Sequence, residues 1–454
     1  MLLDFSIKNF GPIKDEQILS FEALPSTRYE EYYIIHPMLA NGKLILRQNA
    51  PIRLLKLAVI YGANASGKTT ILETLDFFRQ LALNERRDKS QKLDFLPFAF
   101  NTTSPKEPTQ LKIRFFQKGI LFEHQFEINR HCIIKEIVHY WDYNTSGRKR
   151  LLFKRDTHPH DQVTELTKIS NLVIAENDLT QQAIESLQLA TLWNESILVG
   201  FNKVNFIFKE LQLMREWYSD VLEPMINSHN SVDKRLLMIA EEDHEAKTFM
   251  TEFLQQSDFN IEGFQVEKRP FPKLSEELEL VLSHFQSLFA KVKNEDHSEN
   301  NNLLEKIKDQ PIKTIQVEYL VEGKHYLLPF EYTSLGTKRT FILAGLLYLL
   351  MKQNKVLMID EFESSLHPDL AEFFLLTFLK SVQHSQLILT THSRDLMKIN
   401  ELVDRRDIIW FTAKNDLLET ELYSLGDFST REIRPEASIY NLYKIGKLGA
   451  TPNI

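Results

Sequence analysis

Hydrophobic and polar positions change period several times along the chain, and each change predicts a different kind of element. The opening from Leu2 to Ile7 alternates like a strand and then meets a turn at Gly11 and Pro12. Leu54 to Tyr61 is almost continuously apolar, as in a parallel strand buried on both faces. It runs into a loop at Gly62, after which apolar residues from Thr70 to Leu83 recur at helical spacing. From about Thr109 to Arg155 four short alternating runs, separated by turn residues that include Gly119 and Gly147, predict an antiparallel sheet.

The pattern then becomes helical from about Gln162 to Ser257, with long amphipathic stretches from Phe201 to Ile226 and from Asp233 to Leu254. A further helix is expected from Leu274 to Val292, ending in a polar stretch. Its apolar stripe either packs within the chain or meets a partner subunit. Two strand-like runs around Glu322 and Gly323 predict a hairpin. After a turn at Ser334 to Gly336 come a helix from Lys338 to Met351, the strand Lys355–Asp360, a helix from Pro368 to Val382, the strand Gln386–His392, a helix from Arg394 to Ile399 and the strand Asp407–Ala413. That alternation favours a mostly parallel sheet with helical cover. The expected fold class is therefore α/β, in three parts: 1–161, with the loop and the antiparallel sheet; 162–310, mainly helical and suited to dimerisation or partner binding; and 311–454, which returns to the first.

Composition narrows the classes. The 454 residues include 14 glycines, where average usage of about 7% would give roughly twice as many. Each glycine is therefore expected to mark a backbone position that needs one. Cys132 is the lone cysteine, which excludes a disulfide framework and fits a reducing cytoplasm. The longest apolar run, Phe341 to Met351, falls short of the about 20 residues that span a bilayer. A net charge of −8 opposes a constitutive nucleic-acid coat protein. Two basic groups remain, one around Arg148, Lys149, Arg150, Lys154 and Arg155 and one around Arg86, Arg87, Lys89 and Lys92, either as solvated loop faces or as a local basic surface.

Four segments carry chemistry. Gly62-Ala63-Asn64-Ala65-Ser66-Gly67-Lys68-Thr69, followed by Thr70, satisfies the phosphate-binding G-x-x-x-x-G-K-[ST] pattern between a strand and a helix. Glycines let backbone N–H groups curl around phosphate, Lys68 reaches the β- and γ-phosphates, and the Thr69 hydroxyl takes a Mg²⁺ position. Val356 to Ile359 is an apolar strand delivering Asp360 and Glu361 at its end, where Asp360 would hold Mg²⁺ and Glu361 would polarise an attacking water. His392, just past a strand, is either a structural histidine or a contact to the γ-phosphate. Ser334 and Gly336 open a helix, either as a simple cap or as a second anion site serving the nucleotide of a partner subunit.

The order of these segments resembles the ABC-type ATPases of the SMC and RecF kind. It resembles more closely the stand-alone ATP-binding proteins of prokaryotic antiphage defence loci, of the sort represented by RloA and the AriA subunit of PARIS systems. The likeness lies in the opening strand and turn, the phosphate loop, Ser334–Arg339 with Met358–Pro368, Gln386–Met397, and the ending Tyr440–Pro452, about half of the chain. It implies an ATPase head with a mixed sheet, an antiparallel β-subdomain and an inserted helical domain. ATP and Mg²⁺ would be sandwiched between two subunits, with Ser334 and Gly336 acting in trans, Ser364, Ser365 and Leu366 as the D-loop, and His392 as the switch histidine. Thr337 and Lys338 depart from the general ABC signature, and only Gln91 offers itself as a Q-loop glutamine.

The resemblance further implies slow ATP hydrolysis, self-association into a dimer or higher oligomer, and control of a separate toxic effector, a nuclease, with a phage protein as trigger. Nucleic acid is left open as a partner and a membrane is not expected. Only 62 residues follow His392, with no acid cluster beyond Asp404 and Asp407, so a nuclease within this chain is not expected. The alternative is a DNA-repair or chromosome-associated ATPase of the RecF or SMC type.

Overall fold

The structure, a computed structural model, describes residues 1–158, 160, 163–169, 177–227, 234–256, 260–269, 312–429, 431–434 and 437–451. The expected helix from Leu274 to Val292 and the polar stretch after it lie outside the described residues. Two compact units divide the chain: Met1–Asn230 with Leu349–Ile454, and Ser231–Tyr348.

The first unit holds two large sheets, beside two-stranded pairings of Ile34–Ile35 with Leu54–Leu55 and of Leu46–Arg47 with Ala50–Pro51. Val356–Ile359, Gln386–Thr391, Leu57–Gly62 and Ile409–Lys414 run parallel in that order, and Thr420–Ser424 closes the edge antiparallel. Three of these runs, Val356–Ile359, Gln386–Thr391 and Leu57–Gly62, are wholly buried, which is why they read as largely apolar sequence. The second sheet is antiparallel, in the order Val163–Ile169, Lys149–His158, Ile133–Asp142, Ile120–Ile128, Thr109–Gln117, Leu2–Lys8 and Gln17–Ser20. Its hairpins turn where expected: Lys118 and Gly119 both have positive φ, as does Gly147. One side chain ties the sheets together. Gln386 accepts the Leu2 N–H at 2.6 Å and donates to the carbonyls of Leu2 and Leu55 at 2.9 and 3.1 Å.

The expected boundaries at 161/162 and 310/311 do not coincide with the compact units, because the chain up to Asn230 packs with the first unit. The reason is visible at Trp217–Val221. This π-helical turn stacks Trp217 on Phe115 of the antiparallel sheet, with ring centroids 3.9 Å apart. The long helix expected from Phe201 to Ile226 is correspondingly shortened to Lys209–Glu216 plus that turn. Beyond it, Leu222 and Ile226 bridge in parallel to Val356 and Ile359, so the apolar residues there serve an extended edge. Pro224 could not continue a helix there without losing a hydrogen bond. Arg79 of the helix Lys68–Leu83 holds this edge through the Leu222 carbonyl at 3.0 Å.

The described part of the second unit has the expected helices and hairpin and one strand, Ile261–Arg269, that the pattern does not predict. Helices Lys234–Glu242 and His244–Gln256 accompany a three-stranded antiparallel sheet of Ile261–Arg269, Ile312–Val321 and Lys324–Pro329. The hairpin at Glu322 and Gly323 is as the sequence predicts. Helix Leu335–Lys352 then leads back toward the acid strand Val356–Ile359.

Candidate functional site

The phosphate loop joins the central strand Leu57–Gly62 to the helix Lys68–Leu83. The first-turn N–H groups of a helix have no intrahelical acceptors and form a natural anion site. The loop is seated from behind by residues that the sequence motif does not name. Ser66 Oγ shares a hydrogen bond with Thr412 Oγ1 at 2.6 Å, and Thr420 Oγ1 donates to the Ser66 carbonyl at 2.9 Å. A Cβ on Gly62 would stand 2.3 Å from Thr412 Oγ1, and one on Gly67, whose φ is +105°, would stand 2.6 Å from Thr420 Oγ1. These glycines are therefore required by the wall behind the loop as well as by phosphate in front. Gly11 turns the opening segment so that Pro12 accepts the Thr420 N–H at 2.8 Å and reaches the site.

Lys68, Thr69, Asp360, Glu361 and His392 come together. A cavity of about 300 Å³ is lined by Pro12, Asn64, Ala65, Gly67, Lys68, Thr69, Thr70, Glu361 and His392. Lys68 Nζ donates to the carbonyls of Gly62 and Ala63 at 2.9 and 3.0 Å and lies 3.4 Å from His392 Nδ1. Burial pushes its pKa down to about 8, partly opposed by the carboxylates of Asp360, Glu363 and Glu361. Thr69 Oγ1 donates to Asp360 Oδ2 at 3.0 Å, and Thr390 Oγ1 donates to Asp360 Oδ1 at 2.5 Å. The Asp360 N–H is taken by the Ile226 carbonyl at 2.8 Å.

Glu361 sits at φ 46°, an uncommon conformation for a residue with a side chain, and its N–H donates to Thr390 Oγ1 at 2.9 Å. Its carboxylate is 4.0 Å from His392 Nε2, and both side chains are partly exposed. Thr390 and Glu363 are the residues that motif reading misses. Thr390 bonds both acids, and the Glu363 carboxylate takes the backbone N–H of His392 at 2.5 Å and of Ser393 at 3.1 Å.

Other expected residues lie elsewhere. Ser334 and Gly336 belong to the second unit, where Ser334 is exposed and its Oγ accepts the Thr337 N–H at 3.0 Å as a helix cap. Gln91 is not among the cavity residues, and its side chain accepts the Arg87 N–H at 2.9 Å. Ser364, Ser365 and Leu366 form the turn after the acids, with Ser365 at φ 63°. Asp407 is bonded to Arg405 at 2.9 and 3.0 Å and Asp404 to Arg28 at 3.3 Å. The first basic group is largely engaged: Arg155 is fully buried, Lys149 pairs with Glu123 at 3.1 Å and Lys154 with Asp156 at 2.6 Å.

Residues 57–398, from the phosphate-loop strand to just past His392, match the family described as "AAA domain, putative AbiEii toxin, Type IV TA system". The chain belongs to that family. It is a P-loop ATPase, and all five converging residues lie within the matched span. No functionally curated protein matches the sequence. Among solved structures, the ATPase is similar to an SMC head bound to the C-terminal winged-helix domain of ScpA, at 13% identity over 93% of this chain and 97% of that one, with a TM-score of 0.42. It is also similar to the SMC head domain from Thermotoga maritima, at 11% identity over 93% and 98% of the two chains and a TM-score of 0.37. A third is the Pyrococcus furiosus SMC head with an extended coiled coil, bound to the C-terminal domain of ScpA, at 13% identity, 98% of both chains and a TM-score of 0.37. These likenesses are loose, and the α/β fold of the ATPase rests on its own strand order. Among the described residues no helix is long and apolar enough to cross a membrane.

Proposed function

We propose that this ATPase binds ATP with Mg²⁺, hydrolyses it slowly between two copies of the chain, and thereby regulates a separate toxic effector, a nuclease, in antiphage defence. One observation carries the catalytic part: Lys68, Glu361 and His392 line one cavity, with the Thr69 hydroxyl in contact with Asp360 beside it. The Thr69 hydroxyl and the Asp360 carboxylate are oxygen donors of the kind that suit Mg²⁺, which characteristically keeps several waters and substrate phosphates as its other ligands. Bound there, the ion would neutralise charge on the β- and γ-phosphates. Lys68 would exchange its two loop carbonyls for phosphate oxygens. Glu361 would orient the attacking water and accept its proton, and His392, whose Nδ1 lies 3.4 Å from Lys68 Nζ, would contact the γ-phosphate beside it. The backbone of Gly62 to Thr70 would wrap the phosphates.

Ser334 and Gly336 fit the trans role because Ser334 is an exposed hydroxyl at the start of an 18-residue helix. The regulatory part is supported by the family's link to toxin systems. The test is Ser334→Arg, read by nucleotide-dependent thermal stabilisation, hydrolysis and native mass with ATP. Retained binding with impaired hydrolysis and no dimer is expected, whereas equal loss of binding contradicts the trans assignment. Co-purification with the neighbouring gene product, compared between wild type and Ser334→Arg, tests the effector. An association indifferent to both nucleotide and substitution removes the regulatory role.

A further inference from the structure

His392 reaches the cavity on a turn that its own side chain does little to hold. Its imidazole is 3.4 Å from Lys68 Nζ and 4.0 Å from Glu361 Oε1, both longer than firm hydrogen bonds. The turn is held through its backbone. Glu363 Oε1 accepts the N–H of His392 at 2.5 Å and of Ser393 at 3.1 Å, and Ser393 N–H also meets Thr391 Oγ1 at 3.0 Å. Glu363 is fixed in turn by the acid loop, where Ser364 donates to the Glu361 carbonyl and Leu366 to the Glu363 carbonyl, each at 2.9 Å. Phe362 N–H bonds the Thr390 carbonyl at 3.0 Å, so the acid loop and the histidine turn are linked both by backbone and by this carboxylate.

The other oxygen, Oε2, is buried with no hydrogen-bond partner among the described residues. An orphaned carboxylate oxygen is unfavourable for folding alone and points to a use beyond packing. We infer that Glu363 is a positioning residue for the proposed hydrolysis, holding the His392 turn at the γ-phosphate side of the cavity and coupling it to the loop that carries Glu361. This rests on the reading of His392 as a γ-phosphate contact. A charge-assisted acceptor shared by two successive N–H groups suits the task, because it fixes a peptide plane rather than a single atom.

The test compares Glu363→Ala, Glu363→Gln and His392→Ala in the full chain. Glu363→Ala is expected to keep nucleotide-dependent thermal stabilisation and KM while kcat falls at least about tenfold, since small misplacements of reacting groups cost rate steeply. Glu363→Gln, whose amide oxygen can accept both N–H groups, is expected to restore most of kcat. The double variant Glu363→Ala with His392→Ala should be no slower than His392→Ala alone, because both changes act through one imidazole. Additive losses, or a Glu363→Ala protein as fast as wild type, overturn the inference. Hydrogen exchange of the His392 and Ser393 amides reads the same contact without turnover: faster exchange in the alanine variant and protection in the glutamine variant are expected, and equal protection in wild type and both variants overturns it. Absence of hydrolysis by wild type would refute the proposed function, while the exchange comparison would still decide the role of Glu363.

Discussion

Glu136, in the antiparallel sheet, and Asp360, at the end of the acid strand, are both buried carboxylates that accept hydroxyl hydrogen bonds. Around Glu136 the counter-charge is built in. Arg155 and His124, both fully buried, reach it at 3.2 and 2.9 Å, and Ser196 Oγ and the Ile197 N–H complete its shell. Burial pushes the Glu136 pKa up, but the His124 hydrogen bond, the charges beside it and the Ser196 hydroxyl outweigh that and hold it below the usual carboxylate range. His124 Nδ1 lies 3.0 Å from Tyr218 Oη, so the cluster clamps both Ser196, which caps Ile197–Phe201, and the π-helical turn onto the sheet. Around Asp360 the shell is made of hydroxyls, and no salt bridge reaches it among the described residues. One cluster carries its own cation and holds the fold; the other has hydroxyl partners and no ion pair among the described residues.

That contrast can be broken from either side. Glu136→Ala leaves Arg155 buried without its carboxylate, a class of change that costs about 3–5 kcal/mol. A large loss of melting temperature is expected, and nucleotide should not recover most of it. Glu361→Gln should melt like wild type and bind ATP yet lose about 10²–10⁴-fold in hydrolysis, as for removal of a general base; turnover within a few-fold of wild type would place the base elsewhere. Lys68→Ala should also fold normally and lose the stabilisation by nucleotide, about 2.7 kcal/mol at a ligand concentration one hundred times Kd. Thermal melts with and without ATP check it.

The smallest effect is one of pH. Lys68 in the free site has its pKa pushed down to about 8, and bound phosphate favours its charged form. Binding is therefore coupled to proton uptake once pH exceeds that value, and affinity falls as pH rises through about 8, by no more than about tenfold per unit. A flat affinity from pH 7 to 9.5, measured by titration calorimetry, would mean that Lys68 is not the phosphate cation.

Much of the candidate site's grouping was legible because its parts are local. Gly62–Thr70, Asp360 with Glu361, and His392 each follow an apolar strand, and the parallel sheet brings the ends of those strands together. The supports were not legible. Thr412 and Thr420 seat the phosphate loop from strands about 350 residues away, and nothing in their neighbourhoods marks them. Arg155 reads as one more member of a basic turn, yet it is wholly interior, because its partner Glu136 stands on the adjacent strand. The segment from Trp217 to Ile226 has apolar spacing compatible with a helix or an extended edge, and the free side of the acid strand decided between them.

The edge formed by Leu222 and Ile226 gives the second unit an unexpected topological standing. Leu222 pairs with Val356 and Ile226 with Ile359 in parallel, so the chain leaves one strand and re-enters its neighbour in the same direction. Parallel neighbours cannot be joined by a hairpin; the chain must travel back the length of the strand before it can re-enter. The chain between Asn227 and Lys355 is therefore the connection between two parallel neighbours, and helix Leu335–Lys352 is the last helix before the acid strand. A shortened protein that omits the second unit would need a returning segment of a dozen residues or more in its place, and a tight linker would force the strand that bears Asp360 out of register.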